Sequence, residues 1–190
     1  MEGLPSFECE MSNGIITMSN KRTALVVGGA GVIGRNLVNY LADQSGWEVI
    51  GLSRNKPELG KKVRWSQIDL LDQSDVAAKI GDLSEVSHVF FAAYQPRPTY
   101  AEEVKPNLEM LRNLLAPLQP AAPNLKRIIL NEGVKAYGVH LGPFKTPAKE
   151  TDPRHLPPNF YSAQEDHLKQ EQIGRNWDYT ILRPDVVCGF

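Results

Sequence analysis

The chain has 190 residues, of which 42% are hydrophobic, and this length suffices for one sizeable core in one domain. Its 21 basic and 22 acidic residues give a net charge of −1, so we expect no broad attraction to nucleic acid or to an acidic membrane surface. No apolar run approaches the roughly 20 residues that span a bilayer, so we expect no membrane partner. Cys9 and Cys188 lack disulfide spacing, which makes a cytoplasmic setting the expectation.

Residues 1–22 are predicted to be a flexible extension. They carry Glu2, Glu8 and Glu10 and lack the basic start and the long apolar stretch of a signal peptide. Strand and helix patterns alternate from residue 23 onwards, so the folded domain is expected to occupy residues 23–190.

A glycine-punctuated turn gives the strongest functional signal. Four apolar residues, 24–27, predict a short buried strand, and the apolar spacing after the turn predicts a helix. The glycines permit a tight turn, so that backbone N–H groups at the start of the helix can approach an anionic pyrophosphate. This context predicts dinucleotide binding; a purely structural strand–turn–helix is the alternative. The residues assigned to the cofactor here are Gly28, Gly31, Val32, Ile33 and Gly34.

The rest of the chain predicts a Rossmann-type α/β fold, a doubly wound parallel sheet with helices on both faces, because strands and helices alternate. The expected strand order is 3-2-1-4-5-6, with ligands at the carboxyl ends of the strands. Further strands are predicted at 47–53, 63–70, 86–93, 126–131 and 177–183, and helices begin near Asp72, cover 104–118 before a run of prolines, and cover 159–175.

The end of the second strand bears on the choice of dinucleotide. An NAD site usually places Asp or Glu about 20 residues past the glycines, whereas this chain has Ser53 and Arg54 there. A guanidinium can bind a 2′-phosphate with two parallel hydrogen bonds, so we predict NADP(H); an ordinary polar strand end is the alternative. Asp69 and Leu70 are predicted adenine neighbours, although Asp69 suits a helix cap equally well, and Ala92 is assigned to the same site.

Candidate catalytic residues follow the fifth strand. Short-chain dehydrogenases commonly carry Tyr-x-x-x-Lys on the next helix, but here Tyr161 is followed four positions later by Glu165. Lys135 lies just beyond the fifth strand, and Tyr161 opens the next helix at the same edge of the sheet. We therefore expect Lys135 and Tyr161 to converge. A helix-start aromatic packed against the preceding proline-rich loop is the alternative for Tyr161.

A joint set of short motifs carries a family resemblance. It comprises the glycine turn, Lys135 in a Gly-x-Lys-x-Tyr segment, 141–144 (LGPF), 157–161 (PPNFY), 164–166 (QED) and 183–184 (RP). From Thr23 to Phe190 the chain resembles the progesterone 5β-reductase/iridoid synthase-like (PRISE-type) short-chain reductases, especially their bacterial relatives. The resemblance implies that Lys135 and Tyr161 are the catalytic pair and that activated enones are reduced at C=C with NADPH. It also implies a C-terminal substrate-binding part beyond this chain, so a truncated form is expected, with a small complete nucleotide-binding protein as the alternative.

Two residues depart from the family pattern. Glu132 stands where the family usually has Thr, which is expected to bring an extra carboxylate near Lys135. Ser162 stands where the family has a second tyrosine, which changes the start of the helix and leaves Tyr161 in place.

Two other functions remain open from the sequence. One is an extended short-chain carbonyl reductase or sugar-nucleotide epimerase, which the missing Tyr-x-x-x-Lys disfavours. The other is a regulator that senses NADP(H) without turnover. The expected partners are a small-molecule enone or carbonyl substrate and a second copy of the chain in a homodimer. No metal is expected, because His140, His155 and His167 lack metal-ligand spacing.

Overall fold

The computed structural model describes residues 10–12, 15–17, 21–58, 63–81 and 83–189. Two short strands, β1 (Glu10–Ser12) and β2 (Ile15–Thr17), pair antiparallel within the predicted extension. The other residues before position 21 lie outside the described part of the chain, and the flexibility of the extension stays a prediction. No helix in the described ranges is long and apolar enough to cross a membrane.

A six-stranded parallel sheet forms the centre of the domain, with the strand order β5-β4-β3-β6-β7-β8. This order confirms the predicted Rossmann-type sheet, whose strands one to six are β3 to β8. The elements are β3 (Arg22–Val27), α1 (Val32–Ala42), β4 (Trp47–Ser53), β5 (Arg64–Gln67), α2 (Gln73–Lys79), β6 (Val86–Phe91), α3 (Tyr100–Ala121), β7 (Arg127–Asn131), α4 (Phe160–Gln172) and β8 (Asp178–Leu182).

Side chains of the central strand β3 alternate between two apolar layers, because successive residues of a strand face opposite sides of the sheet. Leu25 and Val27 pack into the larger layer, and Ala24 and Val26 pack into the smaller one. The larger layer also contains buried side chains of α2, α3 and α4, and the smaller layer contains those of α1. Helices therefore cover both faces, as the sequence predicted.

Two strands end earlier than their apolar pattern predicted, because strand length is limited by the partner. β6 ends at Phe91, which is paired with Val27 at the end of β3. β5 ends at Gln67, which is paired with Ser53 at the end of β4. Ile68 and Ala92, which follow these strands, still donate their N–H groups to the carbonyl oxygens of Ser53 and Val27, at 3.1 and 2.9 Å, and they lie at the carboxyl edge of the sheet.

Helix α3 is the longest helix and joins the core to the carboxyl edge. Thr99 caps its start in a capping box with Glu102, which satisfies N–H groups that the helix itself cannot pair. The helix continues through Pro117 and Pro120 to Ala121. Its buried leucine stripe consists of Leu111, Leu114, Leu115 and Leu118, whereas Val104 and Leu108 are only partly buried. The stripe fixes the rotation of α3 about its axis and hence the positions of the polar residues in its first turns.

The glycine turn between β3 and α1 has no room for side chains. A Cβ atom on Gly34 would lie 2.3 Å from the carbonyl oxygen of Gly28, a contact that only backbone movement can relieve. Gly34 thus allows α1 to pack directly against the backbone of Gly28 and Gly29.

We predict that Gly34→Ala destabilises the domain by about 1–3 kcal/mol, the usual cost of overpacking a tight site. Alanine improves helix propensity by about 1 kcal/mol, so a stabilised variant would show that the turn tolerates the methyl group. Urea unfolding measures the change. Gly81→Ala is the control, because a Cβ there meets nothing within 4 Å and should leave the midpoint unchanged.

Candidate active site

A cleft of about 530 Å³ opens at the carboxyl ends of β3, β4 and β6. This is the switch point of the sheet, where Rossmann-type folds bind dinucleotides. The cleft is lined by nine of the ten residues predicted to bind the cofactor: Gly28, Gly31, Val32, Ile33, Ser53, Arg54, Asp69, Leu70 and Ala92. The tenth, Gly34, is not among its lining residues and acts through packing.

Gly28 and Gly31 shape the floor of this cleft. Gly28 has a φ of +80°, and a Cβ on it would lie 2.7 Å from the backbone nitrogen of Ala93. Gly31 is the N-cap of α1 and provides no side-chain acceptor for the first N–H groups of the helix. These groups remain available to an anionic ligand.

The far side of the cleft carries the residues that the sequence assigned to the nucleotide ribose and base. Arg54 is exposed there, and within the described part of the chain its guanidinium has no hydrogen bond or ion pair. The Ser53 hydroxyl donates to the carbonyl oxygen of Asn55 at 2.5 Å. Asp72, and not Asp69, caps α2, so the alternative role of Asp69 as helix cap is wrong.

Lys135 lies in a short 3₁₀ turn, Val134–Tyr137, directly after β7. Its ammonium nitrogen is 3.5 Å from Oε2 of Glu103 and 3.5 Å from the hydroxyl oxygen of Tyr94. It also lies 5.1 Å from the centre of the Tyr100 ring. Glu103 is only 3% exposed, so the ammonium compensates a buried carboxylate of α3.

Tyr94 is a cleft residue that the sequence analysis missed. Its hydroxyl donates to Oε1 of Glu103, and burial together with this hydrogen bond raises the pKa of the phenol. The buried Asn107 fixes the neighbouring segment by binding both the N–H and the carbonyl of Gln95, each at 2.8 Å. The available signal was position, because Tyr94 closely follows β6 at the carboxyl edge.

Tyr161 opens α4 beside Lys135, but the two side chains are not bonded. Asn159 joins their backbones: its amide donates to the carbonyl of Lys135 at 2.9 Å, and its oxygen accepts from the N–H of Tyr161 at 3.0 Å. The phenol lies beside Gly133, where a Cβ atom would be 3.3 Å from the hydroxyl oxygen. Asn159 thus joins the two backbones, but the expected convergence of the two side chains is not found, because the Lys135 ammonium contacts Tyr94 and Glu103 instead.

Tyr161 is a weaker acid than an ordinary tyrosine, mainly because it is buried. Desolvation raises the pKa of the phenol to about 12, and the negative charges of Glu132 and Glu103 act in the same direction. The hydroxyl keeps its proton at neutral pH, as an unperturbed phenol also does. In this arrangement Tyr161 can donate a hydrogen bond, and a cation brought closer would make it a stronger donor.

Glu132 takes part in a second charged network. Its Oε2 accepts from Nε of Arg183 at 2.8 Å, and Nη2 of Arg183 donates to Oε1 of Glu165 at 3.0 Å. Arg154 binds Glu165 from the opposite side. Glu132 was expected to bring a carboxylate near Lys135, but it pairs with Arg183 instead, and the carboxylate that contacts the Lys135 ammonium is that of Glu103.

A polar cavity of about 150 Å³ lies next to this network. Tyr161, Ser162 and Glu132 are among its lining residues, and none of the three lines the nucleotide cleft. The two candidate phenols thus line different spaces, Tyr94 the cleft and Tyr161 the polar cavity.

Comparison with known proteins gives the family. Residues 24–190 match the PRISE-like Rossmann-fold domain. The chain is 36% identical to an (S)-8-oxocitronellyl enol synthase of Camptotheca acuminata over 88% of its length and 46% of that protein. It is 33% identical to a 3-oxo-Delta(4,5)-steroid 5-beta-reductase of Arabidopsis thaliana over 92% of its length and 48% of that protein.

The chain thus spans about half the length of the curated relatives that it matches. Among solved structures, a short-chain dehydrogenase/reductase superfamily protein of Agrobacterium tumefaciens with bound NAD has a TM-score of 0.69. It is 22% identical, and the match covers 85% of this chain and 48% of that one, so it bears on the fold. By its sequence match and its six-stranded sheet, the chain belongs to the PRISE-like Rossmann-fold family.

Proposed function

We propose that the chain is the nucleotide-binding part of an NADPH-dependent reductase that acts on the C=C bond of activated enones. The observation that carries the proposal is the joining of Lys135 and Tyr161 through Asn159, at the same sheet edge as the 530 Å³ cleft. Relatives named as a steroid 5-beta-reductase and as oxocitronellyl enol synthases support this class of reaction.

NADP(H) is proposed as the cofactor on the chemistry of Arg54. A guanidinium that has no partner among the described residues, at the rim of this cleft, can form two parallel hydrogen bonds with a ribose 2′-phosphate. No carboxylate is present at 53–56, where an NAD site would place one to bind the 2′-hydroxyl.

The mechanism requires a donor at the substrate carbonyl. When bound, the reduced nicotinamide supplies a hydride to the β-carbon of the enone. Negative charge then develops on the carbonyl oxygen, where the hydroxyl of Tyr161 donates a hydrogen bond and stabilises it. The ammonium of Lys135 strengthens this donor, since a unit charge about 4 Å away contributes up to about 4 kcal/mol at an effective dielectric constant of 20.

Lys135 must rotate to act on Tyr161, because its ammonium contacts Glu103 and Tyr94 in the structure. Its side chain is 32% exposed and has a flexible four-carbon stem, so rotation leaves the backbone contact through Asn159 intact. Tyr94 is a less suitable donor to substrate, because its proton is already donated to the Glu103 carboxylate.

A regulator that binds NADP(H) without turnover is the second candidate. The contact between Lys135 and the buried Glu103 favours it, because an ammonium held by a carboxylate is a weaker partner for a phenol. NADPH consumption in the presence of 2-cyclohexenone tests the main proposal. Tight NADPH binding without consumption, in the whole protein that contains this chain, would favour the regulator.

We predict that Arg54→Gln weakens NADPH binding by about 10- to 100-fold, the value of a lost charge-assisted hydrogen bond. NADH affinity should change less than about twofold, because NADH has no 2′-phosphate. Fluorescence titration measures both constants. Arg127→Gln is a matched control at the start of β7, the opposite end of the strand from the cleft. Equal losses for the two nucleotides would contradict the assignment.

We predict that Tyr161→Phe slows enone reduction by about 10²–10³-fold, as expected for the loss of one oxyanion donor. Tyr94→Phe should have a much smaller effect, and Tyr40→Phe, on the exposed surface of α1, should have none. Steady-state kinetics with 2-cyclohexenone compares the three variants. A larger loss for Tyr94→Phe would move the catalytic role to the phenol that contacts Lys135.

A further inference from the structure

Glu132 is a buried acid that the proposed reaction does not use. The residue is 5% exposed, and within the described ranges of the chain only its Oε2 has a partner, Nε of Arg183. Oε1 is buried without any hydrogen bond. A buried polar atom without a partner is costly, so its retention calls for a physical explanation.

The polar cavity beside Glu132 offers an explanation for the unpaired Oε1 atom. Its volume of about 150 Å³ accommodates several water molecules, and its walls provide the polar partners that water requires. Glu132 and Tyr161 both line it. The carboxyl group and the phenol therefore share one hydratable space, separate from the nucleotide cleft.

Tyr161 also lies near the backbone next to Glu132. Its hydroxyl lies beside Gly133, the residue that follows Glu132. After burial, the negative charge of Glu132 is the second cause of the raised pKa of Tyr161. Two independent observations, a shared cavity and an adjacent backbone position, thus connect the acid with the phenol.

We infer that Glu132 and the polar cavity supply protons to Tyr161 during turnover. This inference rests on the proposed function. The O–H bond of Tyr161 breaks as its proton passes to the enolate oxygen formed by hydride transfer, giving an enol that becomes the saturated ketone. The phenolate regains a proton from the carboxyl of Glu132, and Glu132 regains one from water in the cavity. NADPH is oxidised, the enone is reduced, and one proton is taken from solvent.

The surrounding charges are compatible with such a role. Arg183 binds the Oε2 side of Glu132 and leaves Oε1 for the exchangeable proton. Burial raises the pKa of Glu132, which favours the protonated form, and the cation of Arg183 opposes this. The other charged groups that act on Glu132 or Tyr161 include Glu165 on α4, Arg154 in the preceding loop and Glu103 on α3. The cavity that Glu132 and Tyr161 share is also lined by Glu150, Asp152 and Lys169.

The first test needs no turnover. The chain is labelled with tyrosine carrying ¹³C at Cζ, and the Tyr161 signal is identified by its loss in Tyr161→Phe. Ionisation is then followed by NMR up to the pH at which the fold is retained. Because Glu132→Gln removes a negative charge near the phenol, Tyr161 should ionise at a pH lower by about half a unit or more. Glu109→Gln, on the exposed side of α3, is the control and should cause no shift. Unchanged ionisation in Glu132→Gln would overturn the inference.

The second test measures proton delivery. Glu132→Gln keeps an acceptor for Arg183, and unchanged NADPH affinity checks that the fold persists. We expect kcat to fall about tenfold or more and the solvent deuterium isotope effect on kcat to rise, with the KM for enone changed less than about twofold. Glu132→Asp, which retains an acid, should recover most of the turnover. An unchanged kcat and isotope effect in Glu132→Gln would overturn the proton supply.

Failure of the proposed function gives a different result. A wild-type protein that binds NADPH and reduces no enone would contradict the proposed reaction, and with it proton delivery during turnover. The NMR midpoints would still decide whether Glu132 and Tyr161 are coupled.

Discussion

The close approach of backbone to backbone at the turn after β3 is the constraint on which the domain depends. Side-chain atoms cannot be accommodated at Gly28 or Gly34, where the nearest backbone atoms would be 2.7 and 2.3 Å from a Cβ. This contact sets the angle at which α1 leaves the sheet, and the cleft of about 530 Å³ opens above the turn. The apolar layers on both faces of β3 then hold the neighbouring strands in register.

The same sheet edge carries two polar networks with different chemistry. One joins Lys135 and Glu103 to Tyr94, which lines the cleft. The other joins Glu132, Arg183 and further charged residues around a polar cavity. Asn159 connects the two networks, because its side-chain amide donates to the carbonyl of Lys135 and accepts from the N–H of Tyr161. The candidate site is therefore an arrangement of two adjoining compartments.

The sequence was sufficient for the fold and for the cleft, because both depend on local patterns. Glycine spacing, apolar alternation and strand order place nine predicted residues around one cavity. Side-chain pairing was less accessible, because it depends on rotations of helices that a single sequence does not determine. In the sequence, Glu103 is one of two adjacent acids at the start of a helix. Only the packing of α3 shows that Glu102 caps the helix while Glu103 is buried against Lys135.

The capping box of α3 has a consequence beyond helix stability. Thr99 determines where the helix begins, and the buried leucines further along fix its rotation, so that one extra residue between Glu103 and those leucines would turn Glu103 by about 100°. Glu103, four positions on, would then point away from the lysine that it neutralises. The segment before Thr99 can consequently change length without turning Glu103, as long as the spacing from Thr99 and Glu103 to the buried leucines is kept. The spacing of residues along the first half of α3 thus determines whether Glu103 reaches Lys135 in the loop after β7.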